Sequence, residues 1–517
     1  MMNVQTLANS LKTTSRWISP PVSLYAGYNS VTGAGLSTAI LGISEQTGAD
    51  SSMSCTVCTS LQEVIHALGI QQSLSVAYGS VTAVDEKLDF FRNLKLTANN
   101  VSIVVYCKHV HSKETAKSWN LDPAVQLPSS KADIPAFVKT YGDSFLNSCT
   151  LGGEYFAVYS FYAGDAEQQA KVISDLSAKS IYTGVQVDGQ FQANLDDMVK
   201  DAATRTMFSQ GISGIENPVL PDAGDIVTYA ARFCAIPLDM PTVIEFTTIG
   251  YEHVFGLTSV MDAVVPNRNY FVGKDVNTGL AASLAKLNLL NNQIADLIST
   301  YNFYGVAVDS QLPLIQEEAQ IDMAAINAQI EGWEDDPTQS FPALWLPALY
   351  YGSPTLSITA NVFGYYGDGG GDPFDDVGSD PMQFINARKK LAAVQLRGGK
   401  YVDALITTYS SSRGACSFRH GGRGGKPTSP LNLSNESPIV SFGGRSGECV
   451  DHLTFTSASG TISAGGNGGS DFPDAGKIPE NNIVLGFRGS CGDILQQISI
   501  VYAGFNPVNW VEPVLRF

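Results

Sequence analysis

Apolar residues recur at helical spacing over residues 270–333. Two segments, LAASLAKLNLLNNQIADLISTY and PLIQEEAQIDMAAINAQIEGW, place leucine and isoleucine three or four positions apart, as at Leu284, Leu287 and Leu290. The preceding residues, 1–260, mix strand-like and helical patterns. We predict that these helices pack together and close a first domain that spans residues 1–340.

The pattern changes to period two with frequent glycine over residues 341–517. Three segments there can be laid over one another, and the last two align without gaps at an offset of 45: VQLRGGKYVDALITTY (394–409), VSFGGRSGECVDHLTF (440–455) and LGFRGSCGDILQQISI (485–500). One copy of such a unit cannot bury its own apolar face. The repeat therefore predicts an all-β domain with pseudo-threefold symmetry.

Each repeat pairs a glycine cluster with a Gly-x-x-x-Asp segment or its amide equivalent. Over about residues 355–505 this pattern resembles the jacalin-related β-prism lectins, and the resemblance implies carbohydrate sites. Glycine lets backbone amides approach a sugar ring, and a carboxylate accepts two neighbouring hydroxyl hydrogens. The residues implied are Gly399 and Asp403 facing Gly424 and Gly425, and Gly447 and Asp451 facing Gly468 and Gly469.

A third site would join Gly370 and Gly371 to the last repeat, where Gln496 replaces the aspartate. An amide lacks the charge-assisted hydrogen bonds of a carboxylate, so we expect this site to be weakened or lost. The alternative for all three positions is a prism with a structural role only.

The stretch YGDSFLNSCTLGG carries a second resemblance. Gly142 of the pair Tyr141-Gly142 lies three positions before Phe145, and six residues separate Phe145 from the pair Gly152-Gly153. Gly142 can end the helix-like run DIPAFVKTYG, and the segment from Gly152 to Phe161 has strand composition. An ordinary helix-to-strand turn would also account for this stretch.

The spacing resembles the motif of membrane-attack-complex/perforin (MACPF) proteins, although the usual Thr and His are Asp143 and Ser144 here. The segment Pro237–Gly256 resembles a late sheet strand of the same family. The resemblance implies an α+β fold: a bent central antiparallel sheet with flanking helical clusters, as in MACPF proteins and cholesterol-dependent cytolysins, followed by the β-prism. It also implies that the chain has no catalytic site.

Such a protein needs two segments that are helical in solution and become membrane hairpins. We predict residues 80–135 and 163–212 for these roles. In the second segment, four residues alternate with polar ones over a length that suits a barrel strand: Val185, Val187, Phe191 and Leu195. A surface hairpin of a globular domain is the alternative.

Charge and composition limit the kinds of binding partner that we expect. The 517 residues carry a net charge of −18, which disfavours nucleic acid and anionic lipid headgroups and favours a glycan receptor. No unbroken apolar run marks a Sec signal peptide or a transmembrane helix, so we expect release without a Sec signal. The Cys55-x-x-Cys58 pair is interpreted as two loop thiols.

The sequence gives little indication of a metal site or of a catalytic site. An acidic glycine-rich loop contains weak calcium candidates, Asp368, Asp372 and Asp375, without EF-hand spacing. The sequence contains no GxSxG, P-loop or HExxH motif, and we expect neither a cofactor nor enzyme activity.

We therefore expect a pore-forming toxin or defence protein, insecticidal activity being one form of that role. It would bind cell-surface glycans through the prism, exist as a monomer in solution, form a ring of identical subunits on the target-cell membrane and insert hairpins. A non-lytic glycan-binding adhesin with the same architecture is the alternative.

Overall fold

The computed structural model describes residues 14–16, 23–47, 51–69, 90, 94, 96–97, 99–163, 166–178, 193–197, 206–273, 278–411 and 414–511. Val185, Val187 and Phe191 lie outside the described residues. Strands of the first part of the chain are β1 (Thr14–Arg16), β2 (Gly27–Tyr28), β3 (Gly35–Leu36), β4 (Ile40–Thr47), β5 (Ser52–Cys58), β6 (Val101–Leu121), β7 (Ser144–Phe161), β8 (Thr206–Ile212) and β9 (Thr242–Gly250).

Nine α-helices are described: α1 (Leu61–Ala67), α2 (Ile134–Tyr141), α3 (Ala166–Ala178), α4 (Ile226–Phe233), α5 (Thr258–Met261), α6 (Val265–Val272), α7 (Gly279–Tyr304), α8 (Gln311–Asp335) and α9 (Pro381–Asn386). None of the helices in the described part of the chain is long and apolar enough to cross a membrane.

A large antiparallel sheet organises the first part of the chain. Strand β6 lies between β7 on one side and both β4 and β5 on the other, while β8 and β9 pair with the far side of β7. Residues Val101–Cys107 of β6 are all buried, because helical segments cover the sheet on both faces there. Most of the sheet thus consists of four long antiparallel rows, to which β1 adds in parallel beside β8 and the short strands β2 and β3 add beside β7.

The glycine pair of the Tyr141–Gly153 motif lies inside β7. We predicted a strand that begins at the pair, but β7 begins eight residues earlier, at Ser144. At this point β7 changes partners from β9 to β8, and β6 carries a bulge between Val110 and Ser112. A Cβ added to Gly152 would lie 2.2 Å from the His109 carbonyl oxygen, so the close backbone approach requires glycine.

The motif's other residues hold the start of β7. Helix α2 ends at Gly142, which has a φ of +79°. Tyr141 contacts Phe137 on the helix, and Phe145 is fully buried against Tyr251, which follows β9.

The two long helices predicted within residues 270–333 are confirmed as α7 and α8. Leu284, Leu287 and Leu290 are buried, in agreement with their helical spacing. The core that they form continues into the C-terminal β region, and Gln293 of α7 donates a hydrogen bond to the Pro354 carbonyl oxygen at 2.8 Å. Helix α7 therefore packs directly against that region.

The C-terminal region contains three sheets of four or five strands, one for each predicted repeat, and a two-stranded sheet formed by β10 and β25. The strands are β10 (Ser353–Thr355), β11 (Ile358–Tyr366), β12 (Asp372–Asp375), β13 (Lys390–Gly398), β14 (Val402–Ser411), β15 (Gly414–Gly421), β16 (Lys426–Pro427), β17 (Leu431–Asn432), β18 (Ile439–Ser446), β19 (Val450–Ser457), β20 (Gly460–Gly465), β21 (Ser470–Asp471), β22 (Gly476–Lys477), β23 (Asn482–Cys491), β24 (Leu495–Phe505) and β25 (Asn509–Val511). Their orders are β15-β14-β13-β16, β20-β19-β18-β21 and β11-β24-β23-β12. The last sheet combines the start of the region with its end, which closes the threefold arrangement.

The limits of the two predicted membrane segments need correction. Residues 80–135 include β6, which lies in the middle of the sheet, and 163–212 include β8. The run VSIVVYC is apolar at every position except Ser102, because both faces of the strand are covered. The chain between β5 and β6 comprises residues 59–100, and the chain between β7 and β8 comprises residues 162–205.

Candidate carbohydrate sites

The three sheets repeat one backbone arrangement at the same end of the prism. In each, a hairpin loop joins two central strands: Gly399–Asp403, Gly447–Asp451 or Gly492–Gln496. In each, a glycine loop lies beside it: residues 422–425, 466–469 or 368–371. Sites 1, 2 and 3 are the pairs of loops in that order.

Glycine is needed where the two loops of a site meet. The residues just before the glycine loops, Gly421, Gly465 and Gly367, have φ of +117°, +110° and +103°. A Cβ on each would lie 2.2, 2.1 and 2.0 Å from the carbonyl oxygen of residue 403, 451 and 496 respectively. Because these values repeat closely, the backbone geometry is common to all three sites.

Site 1 brings together all four residues implied for it. A Cβ added to Gly424 would lie 2.2 Å from Asp403 Oδ1, and one added to Gly425 would lie 2.4 Å from Asp403 Oδ2. Gly399 is next to the same carboxylate, with a corresponding distance of 3.9 Å. The half-buried carboxylate therefore lies directly against the backbone of the glycine pair.

Site 2 reproduces this geometry. A Cβ added to Gly468 would lie 2.2 Å from Asp451 Oδ1, and one added to Gly469 would lie 2.5 Å from Asp451 Oδ2. The corresponding distance at Gly447 is 3.6 Å. Asp451 is 6% exposed, so its carboxylate is more deeply placed than that of Asp403.

In sites 1 and 2, an arginine that the sequence analysis did not single out holds the glycine loop. Arg397 Nε donates to the Gly424 carbonyl oxygen at 2.9 Å, and its Nη2 donates to the carbonyl oxygens of Arg423 and Gly425, both at 3.0 Å. Arg445 Nε and Nη2 donate to the carbonyl oxygens of Gly468 and Gly469 at 2.9 and 2.7 Å. The sequence signal was Arg-x-Gly-x-x-x-Asp, present in the first two repeats.

Site 3 keeps the backbone but differs in both polar side chains. Gln496 occupies the aspartate position, with its Cδ 3.9 Å from where a Cβ on Gly370 would lie. Ser490 occupies the arginine position, since its register against Gln497 matches that of Arg397 against Ala404. The Ser490 hydroxyl oxygen is buried and has no hydrogen-bond partner among the described residues.

The three sites contact one another in a ring. The glycine loop of site 1 meets the hairpin loop of site 3, since a Cβ on Gly422 would lie 2.3 Å from the Asp493 carbonyl oxygen. The glycine loop of site 2 meets the hairpin loop of site 1 in the same way, since a Cβ on Gly466 would lie 2.5 Å from the Lys400 carbonyl oxygen. The Asp368 amide of site 3 donates to the Glu448 oxygen of site 2 at 3.4 Å.

One charged residue lies between sites 1 and 2. The pKa of Lys400 is raised, chiefly by its hydrogen bond with the Tyr401 side chain and in smaller part by the charge of Asp451. The ammonium also lies over the Tyr401 ring, 4.9 Å from its centre. A cation and an aromatic ring thus border the surface next to Asp451.

The weak calcium candidates do not converge on one position. Asp375 accepts hydrogen bonds from the amides of Val377 and Gly378 and pairs with Arg488, while Asp372 lies in β12 opposite Cys491. Asp368 uses its amide in the contact with Glu448. Among the described residues, no group of three or more His, Cys, Asp and Glu side chains is arranged to hold a metal ion.

The substituted positions of the MACPF-like motif form a buried polar network. Asp143 is fully buried and accepts hydrogen bonds from the Ser30 amide and hydroxyl, both at 2.7 Å. Arg268 Nη1 lies 3.3 Å from Asp143 Oδ2 and 3.2 Å from Glu252 Oε2. Burial raises the pKa of Asp143, and Arg268 and Ser30 oppose that rise. The network ties the start of β7 to the segment after β9.

The structure also gives the surroundings of Leu195 and of the Cys55-x-x-Cys58 pair. Leu195 is fully buried in a helical turn and packs with Val172 and Leu176 of α3. Cys55 and Cys58 lie in strand β5 and not in a loop, so that interpretation was wrong. Burial raises the pKa of both thiols to about 12, which leaves them poor nucleophiles at neutral pH.

The matches to known proteins fall within the C-terminal β-prism. Residues 363–501 match the family described as "Jacalin-like lectin domain". Similar solved structures include wild-type Malaysian banana lectin, at 22% identity, 29% of this chain, 100% of that chain and a TM-score of 0.24. A mannose-binding jacalin-related lectin from Ananas comosus has 21% identity, 28% and 97% coverage and a TM-score of 0.24. Artocarpin in complex with Me-alpha-mannose has 21% identity, 28% and 97% coverage and a TM-score of 0.23.

No curated protein matches the chain. The family match begins at residue 363, within β11, and ends within β24, so it contains all three hairpin loops and all three glycine loops. The repeated sheets and the family match agree on the same stretch of sequence. Residues 363–501 form a jacalin-like lectin domain.

Proposed function

We propose that the protein binds glycans at sites 1 and 2 of the prism. The observation that carries this proposal is the repeated placement of a carboxylate, Asp403 or Asp451, against the backbone of a glycine pair. A carboxylate can accept hydrogen bonds from two adjacent sugar hydroxyls, and backbone amides of a loop without side chains can donate to ring and hydroxyl oxygens. Site 3 has Gln496 instead and contributes little or nothing.

A glycan array with the full chain tests this proposal. We expect binding by the wild type and by Asp493→Asn, an exposed aspartate at the same end of the prism. The double variant Asp403→Asn with Asp451→Asn should lose binding while its thermal unfolding stays close to that of the wild type. Undiminished binding by the double variant would show that these carboxylates are not the sugar ligands.

We further propose that the first part of the chain is a MACPF-like pore-forming module that the lectin domain brings to membranes. The sheet topology supports this proposal. Cys58 pairs with Ser102, Ser102 with Ser160 and Ser160 with Met207, so four adjacent rows reach the same end of the sheet. Both connections, residues 59–100 and 162–205, leave and re-enter there.

The lengths of these connections suit the proposed conversion. They contain 42 and 44 residues, counted between β5 and β6 (101 − 59) and between β7 and β8 (206 − 162). A hairpin that spans a bilayer needs two strands of about 9–11 residues. If the connections became extended, they would continue the existing rows, and pairing between neighbouring subunits would satisfy their backbone groups. Helices α1 and α3 would unfold in this step.

Leakage from neutral phosphatidylcholine vesicles that carry mannosyl or galactosyl lipids tests pore formation. Release of an encapsulated dye, together with ring-shaped oligomers in micrographs, is the expected result. Vesicle binding without leakage or rings would identify the protein as a non-lytic adhesin instead.

A cross-link separates binding from insertion. The side chains of Gln168 on α3 and Asn386 on α9 are in hydrogen-bond contact, so cysteines at both positions can be joined by a short bis-maleimide. The cross-linked protein should bind vesicles normally but release no dye. Wild-type protein and the two single-cysteine variants treated with the same reagent are controls for the native thiols.

A further inference from the structure

We infer that Arg397 and Arg445 are positioning residues for the two sugar sites. This inference rests on the proposed glycan binding at sites 1 and 2. Each guanidinium occupies the same position in its sheet, two residues before the first glycine of the hairpin loop, and each reaches the carbonyl oxygens of the glycine pair. Neither arginine needs to touch the sugar.

Each arginine restrains the conformation of a glycine pair, which has no side chains of its own to order it. A loop of consecutive glycines has many backbone conformations and loses more entropy on ordering than other residues. The guanidinium presents several donors in a fixed plane and its hydrogen bonds are charge-assisted. Arg397 uses three of them on consecutive carbonyl oxygens, those of residues 423, 424 and 425. Because the peptide unit is planar, these bonds also fix the direction of each amide in the loop.

At site 2 the arginine makes the same kind of contact with the glycine loop, with one difference. Arg445 holds the carbonyl oxygens of Gly468 and Gly469 and directs its remaining nitrogen, Nη1, to Asp471 Oδ1 at 2.9 Å. At site 1 the equivalent of Asp471 is Pro427, as the strand registers show. The arginine contact with the glycine loop is thus conserved between the sites although its surroundings differ.

Site 3 is the natural comparison within the same chain. Its aspartate and its arginine are both replaced, by Gln496 and Ser490, while its glycines remain. The serine cannot reach the glycine loop with three donors, and Gln497 instead donates to the Gly367 carbonyl oxygen at 3.0 Å. We infer that carboxylate and arginine work as a pair, which makes this end of the prism bivalent.

Sugar affinity in single-site backgrounds tests the inference. Methyl α-mannoside and methyl α-galactoside are titrated separately by calorimetry into the full chain carrying Asp451→Asn, which leaves site 1 as the acting site. Adding Arg397→Met should weaken binding about tenfold or more, and Arg397→Lys should retain part of it, because a lysine supplies fewer fixed donors. Arg445→Met in an Asp403→Asn background should do the same at site 2.

Arg419→Met is the matched control for the loss of an arginine. It lies on β15 of the same sheet and is exposed. We expect it to bind sugar as its background does. If Arg397→Met also binds as its background does, the positioning role is overturned, whereas retained binding in the Asp403→Asn, Asp451→Asn double variant overturns the proposed sites themselves.

Hydrogen exchange followed by mass spectrometry needs no sugar. Arg397→Met should speed exchange in the peptide that contains residues 422–427, which includes β16, and leave residues 466–471 unchanged; Arg445→Met should do the reverse. Unchanged exchange in both variants would contradict the inference whatever the sugar data show.

The third site gives a final test. Gln496→Asp in the double-asparagine background restores the carboxylate without an arginine, and we expect no recovery of binding. Recovery to the affinity of a single native site would show that the arginine is dispensable.

Discussion

In the central sheet, Gly152 lies inside a long strand, whereas in the β-prism Gly424 lies in a loop beside a candidate site. Gly152 has no room for a side chain because the His109 carbonyl oxygen of the neighbouring strand is too near. Gly424 also has no room, but the obstructing atom is a carboxylate oxygen at the surface. The same residue type thus serves backbone packing in one region and access to a candidate site in the other.

The two regions also differ in how they are connected. The prism joins its strands by short hairpins that repeat three times, while the central sheet joins its rows through the connections 59–100 and 162–205. The sheet also contains a buried charged network, because Asp143, Arg268 and Glu252 lie together at one end of it. A change in the sheet should therefore affect folding, and a change in the prism loops should affect binding.

Arg268→Met should give the largest effect on stability. It leaves the buried carboxylates of Asp143 and Glu252 without their cation, and breaking a buried pair in this way costs about 3–5 kcal/mol. The free energy of unfolding from urea titration measures the loss. Arg419→Met, an exposed arginine of the prism, serves as the control and should change stability little. A loss below about 1 kcal/mol for Arg268→Met would mean that the network is not paired as described.

Gly152→Ala sharpens the comparison of glycines. The added methyl must displace the backbone of β6, at a cost of about 1–3 kcal/mol. Gly443→Ala is the matched control, because Gly443 also lies inside a strand but a Cβ there would meet no atom within 4 Å. The control should leave stability unchanged or raise it slightly, by about 0.5 kcal/mol. Equal effects of the two substitutions would contradict the steric explanation.

Tyr304→Phe examines the contact between the two regions. The Tyr304 hydroxyl on α7 donates to the Lys389 carbonyl oxygen of the prism at 2.8 Å. Its loss should cost about 1 kcal/mol. Tyr350→Phe, at a residue that is 50% exposed, is the control.

The same residue predicts a pH dependence. Burial raises the pKa of Tyr304 well above its usual value, with Arg388 opposing the rise. The unfolded chain then ionises first as the pH rises through about 10, so the protonated phenol contributes stability below that pH and loses it above. Tyr304→Phe should reduce the fall in unfolding free energy between pH 9 and pH 11 in a urea titration series. An unaltered slope would contradict this assignment.

Gly424→Ala should give the smallest change in stability and a clear change in binding. The methyl group displaces the Asp403 carboxylate, which lies at the surface, so we expect a stability change within about 0.5 kcal/mol. Sugar affinity in the Asp451→Asn background should fall. A large loss of stability would remove the difference between prism and sheet glycines.

The sequence itself determined the elements that depend on local residue spacing and on the residues that end a helix or form a turn. The leucine spacing specified α7 and α8, Gly142 marked the end of α2, and the repeat specified three β units with their Gly-x-x-x-Asp and Gly-Gly loops. The alignment also marked Gln496 as the differing member. These features depend on residues near one another in the chain, or on repetition, which a reader of the sequence can compare directly.

Only the tertiary structure decided which segments share the sheet and which side chains meet. It placed β6 within the region that we had expected to be a movable segment. The sequence did not reveal this strand, because an apolar run has the same pattern in a buried helix and in a strand covered on both faces. The tertiary structure brought Arg268 to Asp143 across 125 residues, and Arg397 and Arg445 to glycine loops 26 to 28 and 23 to 24 residues away. Such contacts depend on how distant segments pack, and periodicity along the chain carries no information about that distance.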